Sequence, residues 1–250
     1  MRYELMLPGA IRRAIAQNTP VVLPIGVLEY HGEHLGVGLD TLVVVRCLER
    51  LEGEGLPMVI MPPFYYGAGS YIVEGPKGNG TVQVDSGVLT PFAKELFVSL
   101  LRIGFRNIHG FIHHQSENFL QGMPTDLAFR LGARQATFEI LGCERGEGWW
   151  GNETMSDYYG GHSEGDNPFN WIRVHPLMDE AIISSYEFDH AGIGETSLLM
   201  ALDPDGVQMD KFTDERWYLR GADKATPVHG EEAVGKILAR LRRILAMEVK

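Results

Sequence analysis

Two hundred and fifty residues, 44% of them hydrophobic, suffice for one large domain or two small ones with a real core. A formal net charge of -11 repels phosphate backbones, and the 22 lysines and arginines are scattered, so nucleic acid is not an expected partner. Two cysteines, no charged-then-apolar leader and no apolar run near the roughly 18 residues of a membrane span point to a soluble cytoplasmic protein without a membrane partner.

In chain order, residues 8–17 read as a short helix with Pro8 in its first turn. Residues 20–25 follow as a wholly apolar strand, the pattern of a strand buried on both faces. From Leu39 to Leu51 the apolar residues recur at helical spacing, which puts Asp40 in the first turn of that helix. Residues 58–61 form a second buried strand. The Gly- and Tyr-rich stretch 64–87 is a long loop, with a short strand at 81–84. Residues 89–103 are helical and 107–114 a third strand. A helix over 117–134, broken or kinked at Pro124, precedes a fourth strand at 136–140. After an irregular excursion over 143–170 come an extended stretch at 182–186, a helical run from Glu195 and a terminal helix from 231 to about 247. Strands alternate with helices and no linker interrupts them. The expected fold is a single α/β domain, a three-layer α/β/α sandwich with a mainly parallel sheet.

Two strand ends carry chemistry. The first empties into Glu29, His31, Glu33, His34 and Asp40. In an extended segment Glu29 and His31 point to the same side, so with Asp40 they either converge on a divalent metal or simply hydrogen-bond one another. Mixed oxygen and nitrogen donors suit zinc or manganese. The second cluster is His113-His114-Gln115-Ser116-Glu117-Asn118, at the end of the third strand. Two strand ends of one parallel sheet can share one crevice. Alternation along a strand lets only one of His113 and His114 face it, and Ser116 and Asn118 can equally serve as helix caps. Trp149, Trp150 and Tyr158, with Tyr159 and His162, either wall a substrate pocket or pack beneath a loop. The run 74–81 superficially suggests a phosphate loop, but it lacks a lysine after its last glycine; a turn presenting Gly80-Thr81 is the better reading.

The ordered blocks Pro24-Ile25-Gly26, Glu29-Tyr30-His31-Gly32-Glu33-His34-Leu35, Asp40-Thr41, Gly80-Thr81, Glu117-Asn118 and His190-Ala191-Gly192-Ile193-Gly194-Glu195-Thr196-Ser197 resemble the creatininase family from about residue 20 to about residue 200. The resemblance implies a two-metal hydrolase holding zinc, or zinc with manganese. By position, Glu29 would hold the first ion, His31 and Glu117 the second, and Asp40 both. His190 matches the family's histidine near the scissile bond, with Glu195 in the same motif. The chain departs from the family where the first ion's histidine is expected: Gln115 stands there, so Gln115, or His114 swinging in beside it, completes that shell, or only one ion binds tightly. By the same resemblance, Thr81 and aromatic residues of the 143–170 excursion would contact substrate, and the assembly would be a homo-oligomer, commonly a hexamer.

The expected activity is hydrolytic opening of a small polar cyclic substrate by attack of metal-activated water on a carbonyl. A creatinine-like cyclic amide (C–N cleavage) and an inositol-derived cyclic diketone (C–C cleavage) stand as near equals. A non-catalytic small-molecule-binding protein on the same fold is the competing class, motivated by Gln115.

Overall fold

A computed structural model describes residues 1–158 and 167–246 of the chain. The earlier readings of Tyr159, His162 and residue 247 fall outside that range. Four strands, β1 (Val21–Ile25), β2 (Val59–Ile60), β3 (Ile108–Ile112) and β4 (Ile172–Pro176), form a parallel sheet in the order β2-β1-β3-β4. Ile25 lies opposite Ile112, so β1 and β3 end level with each other. The chain runs from β1 outward to β2, then crosses to β3 on the other side of β1. The carboxyl ends of β1 and β3 therefore flank the point where strand order reverses, which is where open α/β sheets bind ligands.

Both central strands are fully buried, as the apolar run of β1 requires, and β3 buries His109 with its apolar residues. On one face, Val21, Leu23, Ile25, Ile108 and Ile112 pack with α1 (Pro8–Ala16), α3 (Ser86–Ile103) and α4 (Pro124–Arg145) through Ala14, Phe97, Leu101 and Phe129. On the other, Val22, Ile60 and Phe111 meet α2 (Leu39–Gly53), α5 (Ile193–Leu202) and α6 (Pro227–Ala246) through Val43, Cys47, Leu198 and Ile237. The result is the expected three-layer α/β/α sandwich. Among the described residues, no helix is long and apolar enough to cross a membrane.

The strand expected at 136–140 is instead part of α4. Phe129, Ala133, Ala136 and Ile140 are buried at helical spacing, while Phe138 is 59% exposed. Pro124 begins this helix rather than kinking it, and the Asp126 carboxylate accepts the Met123 N–H at 2.6 Å. Residues 117–121 are bends and turns. The true fourth strand is β4, whose Arg173 and His175 alternate with Ile172 and Val174. Its mixed character hid it from an apolar-run reading. The stretch at 182–186 is not extended: Asp179 caps a helical turn over Glu180–Ile183. Residues 81–84 make only isolated bridges, Val82 to Leu28 and Gln83 to Ala68.

Candidate metal centre

Beyond Ile25, Gly26 lets the first turn of α2 lie hard against the end of β1. A Cβ on Gly26 would stand 2.2 Å from Thr41 Oγ1 and 2.8 Å from the Thr41 nitrogen. That close approach brings Asp40, 2% exposed, to the strand mouth at a helix N-terminus, where the dipole favours a carboxylate.

His31 gives its Nδ1 hydrogen to the Glu29 carbonyl at 2.9 Å, since a carbonyl can only accept. This turns Nε2 toward Asp40 Oδ2 at 3.7 Å and Glu195 Oε2 at 3.5 Å. From β3, His114 Nδ1 lies 3.4 Å from Glu29 Oε2 and 3.5 Å from Asp40 Oδ2. Two triads result, the buried Glu29/Asp40/His114 and His31/Asp40/Glu195 with Glu195 half-buried, and Asp40 belongs to both. Within each, the nearest donor atoms all lie within 4.8 Å of one another; Glu29, His31 and His190 form a third such group. His31 Nε2 and Asp40 Oδ2 are buried without a hydrogen-bond partner among the described residues. Orphaned lone pairs in a set of imidazoles and carboxylates fit zinc or manganese, and the His31 Nδ1–H bond to a carbonyl is the second contact that ligating histidines usually make.

The electrostatics are those of a charge-dense floor. Burial alone would lower both His114 and His31. Asp40, with Glu29 and Glu195, nevertheless raises His31 and holds His114 up to about 9. Burial likewise opposes ionisation of Asp40, but His31, His114 and His113 hold its carboxyl well below the usual range. His190 behaves oppositely: burial and the neighbouring His31 lower it, so its ring is neutral. Its Nε2 hydrogen goes to the Tyr30 carbonyl at 3.0 Å, leaving Nδ1 as the free basic nitrogen. The ring stacks on His31 with centroids 4.4 Å apart. Asp189 accepts the N–H groups of Gly194 (2.7 Å) and Glu195 (3.0 Å), and burial beside Glu195 pushes it up to about 6.

Several predicted residues lie elsewhere. Glu117 is exposed at the cavity rim and belongs to none of the three groups; Glu195 stands beside His31 and Asp40 instead. Gln115 is engaged with backbone: Nε2 donates to the Met178 carbonyl at 2.9 Å and Oε1 accepts its N–H at 3.1 Å, tying the ends of β3 and β4 together. His113 and His114 both reach the floor, His113 Nε2 lying 3.2 Å from Glu195 Oε1, because β3 ends at Ile112 and strand alternation stops there. Thr81 does not line the cavity; its hydroxyl accepts the Tyr30 N–H at 3.0 Å and so fixes the carbonyl that holds His190. His34 is also outside the cavity, against Thr196.

Trp149, Trp150 and Tyr158 do not line the cavity. Arg145 lies over Trp149 at 4.9 Å, and Trp150 meets Tyr158 edge-on at 5.9 Å. The cavity, about 580 Å³, has its aromatic wall from Phe188, Trp217 and Tyr218. Tyr218 packs edge-on against His190 at 5.3 Å, and its strap is tied down by Arg216, 2.7 Å from Glu74 of the long loop. The Trp217-Tyr218 pair was visible as sequence, but nothing local linked it to a site nearly thirty residues upstream in His190.

The sequence profile of a family described as "Creatininase: Creatinine amidohydrolase" matches residues 5–243. The chain belongs to the creatininase family. The creatinine amidohydrolase of Pseudomonas putida is 26% identical over 209 residues, covering 81% of this chain and 71% of that protein. A structure described as creatininase with Mn superposes with a TM-score of 0.69 at 21% identity, over 98% of this chain and 99% of that one. A mutant creatininase of Zn–Zn type gives 0.66 at 22%, over 98% of each. At such identities the structural likeness speaks for the fold.

Proposed function

We propose that this creatininase-family chain is a metal-dependent hydrolase that opens a small polar cyclic substrate at a carbonyl, a creatinine-like cyclic amide being the first candidate. The observation that carries the reading is the pair of triads sharing the buried Asp40, with orphaned donor atoms at their centre. Glu29, Asp40 and His114 would hold one ion and His31, Asp40 and Glu195 a second, zinc or manganese by donor type. Ions bound there supply Lewis-acid polarisation of a carbonyl and a water acidic enough to react near neutral pH. The chain's own work is to move protons and orient the substrate. Neutral His190 has Nδ1 free to take a proton and return it to the departing atom, while its Nε2 hydrogen stays anchored on Tyr30. Tyr218, beside His190 in the aromatic wall, keeps its proton because burial raises the phenol, and so offers a donor to substrate.

The name of the Pseudomonas putida relative supports the amide. A cyclic diketone presents the same electrophilic carbonyl, and no lysine or arginine among the described lining residues selects an acidic substrate. A panel of both classes decides between them: amine or ammonia release means C–N cleavage, acid formation without nitrogen loss means C–C cleavage. Elemental analysis of protein purified without chelator comes first. Less than about a tenth of an equivalent of transition metal, with no uptake of added zinc or manganese, sinks the hydrolase reading in favour of a binding protein. We also propose a homo-oligomer, supported by the exposed Leu5 and Leu7 near the amino end; light scattering giving a monomer mass at micromolar concentration overturns it.

A further inference from the structure

We infer that His34 is a positioning residue for His190, acting through the Thr196 hydroxyl on the backbone of Ala191. The inference rests on the reading of His190 as the group that moves the proton. His34 is buried outside the cavity, with Phe212 edge-on against its ring at 5.2 Å. Its Nε2 lies 3.0 Å from Thr196 Oγ1, and that hydroxyl donates its one hydrogen to the Ala191 carbonyl at 3.3 Å. The hydroxyl can then only accept from His34, which fixes the ring as the Nε2–H tautomer. The other nitrogen, Nδ1, is buried without a partner among the described residues, close against Gly32. Among the described residues, Thr196 is therefore the ring's one hydrogen-bonding partner.

Ala191 is where that effort is needed. Its φ of 56° is in the left-handed region, which a residue with a Cβ occupies only when its surroundings hold it there. Both backbone groups are pinned: the N–H donates to Glu195 Oε2 at 2.7 Å, and the carbonyl accepts from Thr196. The turn at Ala191 sets the direction of the preceding residue, and His190 leaves it stacked on His31 and bonded to the Tyr30 carbonyl. One pin is a carboxylate of the metal floor. The other is the His34–Thr196 relay, which lets the strained turn survive independently of what the floor holds.

The test reads His190 directly and needs no substrate. In ¹⁵N-histidine-labelled protein loaded with zinc, long-range ¹H–¹⁵N spectra report each ring's tautomer and the exchange rate of its N–H. Wild type is expected to show His190 as a single Nε2–H tautomer in slow exchange. Thr196→Val keeps the volume but deletes the hydroxyl, and should mix the tautomers and speed Nε2–H exchange by about tenfold or more. Thr196→Ser should restore the wild-type signature. His34→Phe should behave like the valine variant, and His34→Gln, whose amide nitrogen can reach where Nε2 was, should restore the signal. Zinc content should be equal throughout. An unchanged His190 spectrum in Thr196→Val overturns the relay, as does loss of the signal in both Thr196→Ser and His34→Gln. Should His34→Phe fail to fold, the valine and serine variants still decide. A chain that takes up neither zinc nor manganese sinks the hydrolase reading, while the same spectra of the metal-free protein still judge the relay.

Discussion

Histidines stand near the start of strand β3 and just past its end, and His109 and His114 titrate in opposite directions. Near its start, His109 is fully buried, with Nδ1 3.1 Å from His175 Nε2 and Nε2 2.8 Å from Asn107 Oδ1. Arg173 stands beside it, and Arg240 of α6 faces His175. Burial, reinforced by those cations, lowers His109 well below its ordinary value and pushes His175 to about 3. Just past the other end, His114 is almost as buried, yet three carboxylates hold it up to about 9. Burial is common to both, so the sign is set by the charge of the neighbours. In this chain the buried histidine on which carboxylates converge, His114, belongs to the candidate metal floor. At the start of β3 the histidines form a neutral structural chain.

The sharpest break in that contrast is Asp40→Asn, which removes the carboxylate common to both triads. Metal affinity should fall by more than the roughly hundredfold typical of an outer contact, and hydrolysis with it. Zinc titration by calorimetry checks this, and retention of two tight equivalents would falsify the shared-ligand assignment.

Next in size is an acid instability at the start of β3. An unfolded histidine binds a proton near pH 6.5 whereas folded His175 resists until about 3, so between those values the unfolded state holds more protons. Stability should be fully present above about pH 6.5 and fall by at most roughly 1.4 kcal/mol per pH unit per depressed histidine as pH drops. Urea unfolding of chelated protein at pH 7, 6 and 5 measures the slope, and His175→Gln should reduce it. A slope untouched by that variant shows that His175 does not carry the effect.

Smaller still is Gln115→Ala, which leaves both Met178 backbone groups unpaired. A loss of roughly 2 kcal/mol with unchanged zinc content is expected; a fall in zinc content instead would return Gln115 to the metal shell. Glu117→Gln should do least, under about 0.5 kcal/mol in stability with metal affinity nearly unmoved. A halved metal content in that variant would make Glu117, rather than Glu195, the ligand.

The sequence by itself determined what spacing and composition control. An apolar run gave the buried strand β1, helical periodicity put Asp40 in the first turn of α2, and alternation of elements gave the α/β sandwich. Where two periodicities competed it misled: residues 136–140 read as strand locally and became helix because α4 buries every third or fourth residue against the sheet. The tertiary structure alone decided which carboxylate meets His31. Glu195 lies 164 positions away in sequence, and only the route of the chain to the amino end of α5 brings it to 3.5 Å, while Glu117, four residues from the ring of His113, turns out to the rim. The same holds for the aromatic wall, taken from Trp217 and Tyr218 rather than Trp149 and Trp150. Local hydrogen bonds and side-chain periodicity are written along the chain. Convergence of distant groups depends on strand register and helix approach, down to the missing Cβ of Gly26, which no local pattern encodes.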